Sequence, residues 1–206
     1  SKRVEMITNY PELEPMPTCM AGQPNKICFA GGITEQWCHR EILSALERCP
    51  DCSYVLCGDL DSDYGKSLQQ MSSWKQVNYV GRIPHEQVHA LLGACDIGMS
   101  LLKPGRNTGF QLGTMGNTKI FEEMMAGLPI VCTNFLLWRE FVERYHCGIC
   151  VDPENVDDIA AAIRYLLDHP DEARKMGGNG RRAVEEEFNW CVERKKLLAL
   201  YEDILK

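Results

Sequence analysis

No apolar run in this sequence approaches the roughly 18–20 residues a membrane helix needs, and the first residues lack the apolar core of a signal peptide. Nor is there an excess of positive charge. With 22 Lys and Arg against 29 Asp and Glu, the net charge is −7. That balance argues against a nucleic-acid backbone or an anionic membrane surface as the main partner, while leaving room for a local basic pocket holding one small phosphate. The five histidines are dispersed, and none stands beside a plausible Ser or Cys nucleophile, so a hydrolytic triad has no support. His85 and His89 are one helical turn apart, without a third ligand nearby, and read as a surface pair. A full G-x-G-x-x-G fingerprint is missing too. There is no internal repeat and no low-complexity tract. At 45% hydrophobic and 25% charged residues, the composition excludes disorder and fibres.

Cysteine, by contrast, is plentiful. Eleven are scattered over the 206 residues, an odd number that would be a mispairing hazard in an oxidising compartment, and the expected location is the reducing cytoplasm. Cys49-Pro-Asp-Cys52 and Cys147-Gly-Ile-Cys150 have metal-knuckle spacing, but zinc would require the two distant pairs to converge. The simpler reading has Cys49 ending a helix, Cys52 preceding a strand and Cys150 packed within another, with no metal bound. Four of the ten prolines (Pro11, Pro15, Pro17 and Pro24) lie in residues 8–25, so residues 1–25 read as an extended linker. With no initiator Met, this beginning raises the expectation of a further segment upstream.

From Lys26 onward, short apolar runs alternate with stretches of helical period. The runs are Ile27–Ala30, Tyr54–Cys57, Val77–Val80, Ile97–Leu102, Ile130–Thr133 and Ile149–Val151. About six strands separated by helices predict an α/β domain over residues 26–206, a Rossmann-like doubly wound parallel sheet. After Asp152 only helices are expected, over 155–169, 171–187 and 191–205. Ligands of such sheets bind outside the carboxyl ends of the strands, so function is sought in the turns 31–38, 58–65, 81–85, 103–118 and 134–137. The fourth is the longest and carries Gly105, Gly109, Gly113 and Gly116.

Within those turns, Gly31-Gly32 directly follows the first strand, where it either lets backbone N–H groups approach a phosphate or makes a tight turn. Asn117 or Thr118 caps a helix whose exposed N–H groups suit an anion, with Lys119 adding charge. One turn on, Glu122 can form two hydrogen bonds to a vicinal diol such as a ribose, or simply be solvated. Backbone groups at Arg82-Ile83-Pro84 are placed to read the edge of a base, and Arg82 equally suits a surface cation. Gly177-Gly178-Asn179-Gly180 lies among helices and reads as a helix C-cap.

The run Lys119-Ile-Phe-Glu122-Glu-Met-Met-Ala-Gly127-Leu-Pro129-Ile-Val131 resembles the K-x-x-E-x-M-x-A-G-x-P-V-V signature of family 4 glycosyltransferases. These are retaining, nucleotide-sugar-dependent enzymes of the GT-B fold. Phe29–Thr34, Val77–Ile83, Cys147–Pro153, Gly180-Arg181 and Phe188–Trp190 agree with other segments of that family in the same order. The likeness runs from about Lys26 to Lys206 and implies the C-terminal, donor-binding domain, separated from an N-terminal acceptor-binding one.

The resemblance implies that Glu122 binds the donor ribose as the second Glu of an E-x7-E motif. Arg82 and Ile83 would contact the base through their backbone. Asn117, Thr118 and Lys119 would receive the diphosphate, with Gly31 and Gly32 as the phosphate loop. The first Glu of the motif, a sugar contact, falls at Thr114. Two cations that usually face the diphosphate fall at Gly32 and Trp37, leaving Lys119 as their substitute, with His39 or Arg40 assisting.

The function so implied is transfer of a hexose-type sugar, with retention, from a UDP- or GDP-linked donor to a glycan or lipid-linked acceptor. No cofactor and no metal take part, any membrane association would come through the acceptor domain, and the donor domain alone would be inactive. The alternative is a non-catalytic nucleotide-binding subunit that works with a separate acceptor subunit. A GT-B epimerase or phosphorylase is the weakest reading, because no cofactor lysine can be located.

Overall fold

The structure, a computed structural model, describes residues 4–17 and 24–205. Its centre is one sheet of six strands: β1 (Lys26–Ala30), β2 (Ser53–Cys57), β3 (Val77–Gly81), β4 (Ile97–Ser100), β5 (Ile130–Thr133) and β6 (Gly148–Val151). Their order is β3-β2-β1-β4-β5-β6, and every pairing is parallel. Between and after them run α1 (His39–Leu46), α2 (Asp63–Leu68), α3 (His85–Leu92), α4 (Thr118–Met125), α5 (Leu136–Tyr145), α6 (Val156–Asp168), α7 (Pro170–Glu186) and α8 (Trp190–Ile204). This is the Rossmann-like α/β sheet expected from the alternation of short apolar runs and helical stretches. The fourth strand stops at Ser100; Leu101 and Leu102 continue buried but outside the ladder.

Successive residues of a strand point to opposite faces, which explains why the inner strands are largely apolar on both faces, whereas the edge strand β3 exposes Asn78 and Tyr79. Ile27 and Phe29 of β1 join a core with Ile42 and Leu46 of α1 and Ile159 and Ile163 of α6. Cys28, between them, packs with Leu92 of α3 and Leu128 on the other face. The same alternation on β5 sends Val131 to the first core, and Ile130 and Cys132 to one with Ile120 and Met124 of α4, Trp138 of α5 and Val184 of α7. Helices therefore cover both faces. No helix among the described residues is long and apolar enough to cross a membrane.

The last three helices start where local chemistry dictates. Asn155 caps α6 by accepting from the N–H groups of Asp157 and Asp158, Pro170 opens α7, and Asn189 caps α8 by accepting from Val192 N. Leu198 and Tyr201 of α8 and Leu205 just beyond it are exposed apolar side chains.

Residues 4–17 form neither helix nor strand, yet they are strapped to the domain. The Tyr10 ring stands edge-on to Phe121 at 4.7 Å and to Phe188 at 5.4 Å. Pro11 O accepts from Trp190 N (2.9 Å), Glu14 O from Arg181 Nη2 (2.7 Å), and Pro15 O from His89 Nε2 (2.8 Å). The remainder of the proposed linker that lies in 1–3 and 18–23, Cys19 included, is outside the described residues.

Cys49 follows α1 and Cys52 precedes β2, as the simpler reading had it. Cys49 Sγ points to Ala160 O (3.8 Å). Cys150, half-buried in β6, faces Cys132 of β5 with 3.7 Å between the sulfurs.

One expectation is overturned. Gly177–Gly180 is not a C-cap but the middle of α7. Gly177 and Gly180 belong to the buried face, with Ala173, Ala183 and Val184. A Cβ on Gly177 would lie 2.0 Å from the carbonyl oxygen of Gly127, so the glycine is there for close backbone approach, not for a turn. Another feature that the sequence reading did not single out is Glu123 of α4, a carboxyl buried against Gly98 of β4 with Ser100 Oγ at 2.8 Å. Burial is the main reason its pKa is pushed up to about 8, so the folded protein keeps this proton at neutral pH.

Both features give measurable consequences. Gly177→Ala is expected to destabilise by about 1–3 kcal/mol through overpacking. Gly178→Ala, where nothing lies within 4 Å of the added Cβ, should stabilise by about 0.5–1 kcal/mol through helix propensity. Equal denaturation midpoints for the two variants would refute the packing account. For Glu123, the unfolded chain releases its proton near pH 4.5 while the folded chain holds it to about 8, so this residue lowers stability progressively as pH rises across that window. Glu123→Gln should flatten the fall of the thermal midpoint between pH 5 and 8. Parallel pH profiles for variant and parent would show that the carboxyl is not protonated in the fold.

Candidate functional site

Because all six strands are parallel, their carboxyl ends open on one edge, and the order reverses between β1 and β4. There the turn after β1 delivers Gly31 and Gly32, the turn after β2 delivers Gly58 and Asp59, and the turn after β3 delivers Arg82, Ile83 and Pro84. The start of α4 contributes Thr118, Lys119 and Glu122. Together these residues line a cleft of about 830 Å³. Of the residues nominated from sequence, it brings together Gly31, Gly32, Arg82, Ile83, Thr118, Lys119 and Glu122.

One contact in the cleft joins the turn after β1 to the start of α4. A side chain on Gly31 would collide with Lys119, whose Cε lies 2.1 Å from where that Cβ would be. Lys119 thus occupies the space the glycine leaves, and its Nζ stands 4.8 Å from the centre of the Trp37 ring. An indole face attracts a cation without forming an ion pair, and this one lies near the α4 N-terminus, whose backbone N–H groups also favour an anion. Asn117 is the N-cap of α4: its Oδ1 accepts from Lys119 N (3.3 Å). It does not line the cleft.

The two cations expected to assist are elsewhere. His39 is fully buried, its ring edge-on to Phe29 and its Nδ1 2.9 Å from Tyr54 Oη. Burial lowers its pKa to about 3, so it is neutral and faces the core. Arg40 turns to α2, with Nη2 2.7 Å from Ser67 Oγ.

Thr114 lies in the long turn between β4 and α4 and is not among the residues that line the cleft. Its carbonyl accepts from Trp138 Nε1 (2.8 Å) and its Oγ1 from Gly116 N (3.2 Å). That turn contains two short 3-10 segments, Arg106–Thr108 and Phe110–Leu112, with Phe110 and Leu112 exposed. Its start is anchored by Lys103, which donates from N to Gln36 O and pairs through Nζ with Glu41 (both 2.8 Å).

His85 has a larger place here than a surface pair with His89. It opens α3 on the wall of the cleft, and its Nε2 lies 3.1 Å from Glu122 Oε1. A second cavity of about 450 Å³ adjoins at this point. It shares His85, Val88, Thr118 and Glu122 with the first, and the strap residues Asn9, Pro11, Glu12 and Glu14 also line it. Spacing along the sequence could not reveal the His85–Glu122 pair, because the two residues are 37 positions apart.

The family described as "Glycosyl transferases group 1" matches residues 19–183. Among curated proteins, the chain is 33% identical over 118 residues to an MMP alpha-(1->4)-mannosyltransferase of Mycolicibacterium hassiacum, covering 57% of this chain and 26% of that protein. It is 26% identical over 151 residues to a GDP-mannose-dependent monoacylated alpha-(1-6)-phosphatidylinositol monomannoside mannosyltransferase of Corynebacterium glutamicum, covering 72% and 38%. The chain therefore spans well under half the length of these relatives. Among solved structures, Anabaena HepE in complex with UDP and glucose superposes with a TM-score of 0.74 at 18% identity, over 88% of this chain and 49% of that one. A mutant of S. aureus TarM in complex with fondaparinux, alpha-GlcNAc-glycerol and UDP gives 0.76 at 14% identity, over 98% and 40%. At such identities these likenesses establish the fold. With the family match covering most of the sequence, the chain belongs to the glycosyl transferases group 1 family.

Proposed function

We propose that this chain is the donor-binding half of a retaining glycosyltransferase that takes a UDP- or GDP-linked hexose and transfers it to a glycan or lipid-linked acceptor. The observation that carries this reading is the single cleft shared by Gly31, Gly32, Arg82, Ile83, Thr118, Lys119 and Glu122, residues drawn from separate segments of chain. Relatives named as mannosyltransferases, one of them GDP-mannose-dependent, and a structural neighbour in complex with UDP support the donor class. The non-catalytic subunit finds no support in these comparisons.

In this reading Glu122 accepts hydrogen bonds from the ribose diol, and the backbone of Arg82 and Ile83 meets the base. The N-terminus of α4, with Asn117 as its cap and Thr118 and Lys119 at its start, receives the diphosphate beside Gly31 and Gly32. As the glycosidic bond to the leaving diphosphate breaks, negative charge grows on the β-phosphate. A preorganised Lys119 ammonium and the helix N–H groups stabilise it more than they stabilise the intact donor. Thr114 stands where the family places a sugar-contacting carboxylate. No metal or cofactor of this chain is required. Acceptor binding falls to the part of the relatives' length that this chain does not span, and the cysteine usage fits a reducing cytoplasm.

Glu122→Ala is expected to weaken UDP or GDP binding by roughly 1.5–3 kcal/mol with the fold intact. Unchanged affinity by calorimetry would remove the ribose assignment. Residues 1–206 alone present one wall of a two-walled active site. They should bind donor but give no measurable transfer, because acceptor positioning and water exclusion are lacking. Robust sugar transfer by these residues alone would overturn the half-site reading.

A further inference from the structure

We infer that His85 is a positioning residue for the ribose carboxylate: it holds Glu122 in the orientation that accepts the ribose diol, and so sets the preference for ribose over deoxyribose. This rests on the donor-binding reading above and goes beyond it, since the sequence assigned His85 no part in the site.

The geometry is direct. His85 Nε2 and Glu122 Oε1 are 3.1 Å apart, the imidazole 80% exposed and the carboxylate 18%. An ionised carboxylate only accepts, so the imidazole nitrogen must donate, which requires a proton on Nε2. One such bond uses one of roughly four lone-pair sites and leaves enough for two hydroxyls. The restraint matters because a glutamate is a flexible side chain. Freezing it at the moment of binding costs rotamer entropy, a cost already met when the side chain is held beforehand.

The surroundings supply other charges, but no other hydrogen bond reaches the Glu122 side chain among the described residues. Arg82 and Asp59 face the main cleft, Lys119 and Glu123 flank Glu122 on α4, and Glu12 and Glu14 approach from the strap. Lys119 is engaged over Trp37 and Glu123 by Ser100. The neighbouring histidine of α3, His89, is tied by Nε2 to Pro15 O of the strap. The two histidines thus serve different partners, His89 the strap and His85 the Glu122 carboxylate.

Calorimetric titration of UDP, GDP and their 2′-deoxy forms into the parent, His85→Ala, His85→Gln, Glu122→Ala and the double variant tests this. For the diphosphate that the parent binds, loss of the 2′-hydroxyl should cost about tenfold in affinity. His85→Ala should weaken the ribo form by about three- to tenfold and bring the ribo-to-deoxy ratio within about twofold. His85→Gln, whose amide N–H reaches a similar point, should keep the parental ratio, and His85→Ala should add nothing in the Glu122→Ala background. A parental ratio retained by His85→Ala, or an equal loss in both backgrounds, overturns the positioning role while leaving donor binding in place. Absence of binding of either diphosphate by the parent overturns both.

Discussion

Parallel pairing of β1 with β2 on one edge and β4 on the other is the constraint from which the rest of the domain follows. A strand hydrogen-bonded on both edges and covered on both faces cannot carry exposed functional groups along its length. Chemistry is displaced to its carboxyl end. The reversal of strand order at β1 and β4 leaves a gap there, which the turns after β1, β2 and β3 and the start of α4 surround. The cleft is thus a by-product of how the sheet is wound, and its lining is decided by which residues happen to end the strands.

Within the cleft, charge is placed by packing as much as by residue type. Lys119 is held in place by an aromatic face and by the empty side of Gly31. His39, a few residues along the chain from Gly31, is removed from the same role by burial, which holds it neutral. Glu122 and Glu123 make the same point on one helix. Successive helical residues are about 100° apart, so one carboxyl meets the cleft and His85 while the other is driven against β4 and keeps its proton.

The strap of residues 4–17 and helix α7 show a further level of organisation. Arg181 of α7 donates to the carbonyls of Met125 and Glu14, joining the end of α4 to the strap. Gly177 lets α7 come down on Gly127, just beyond the end of α4. The end of α4 is therefore clamped by long-range contacts, while its start stays open to the cleft.

Read alone, the sequence determined the strands almost to the residue, the helical tail after Asp152, and the Lys119–Val131 block that identifies the family. These are local signals: apolar runs of strand length, stretches of helical period, and a dense motif. It also placed Glu122, Lys119 and Gly31 at strand ends and helix starts, where ligands of such sheets bind. The tertiary structure alone decided which of those residues meet. The seat of Lys119 on Trp37 and Gly31, the His85–Glu122 pair, the burial of Glu123 and His39, and the contact that makes Gly177 part of a helix face all join segments far apart in the chain. Their partners are fixed by the winding of the sheet and the packing of helices upon it, and neither periodicity nor spacing encodes which distant side chain will fill a given space.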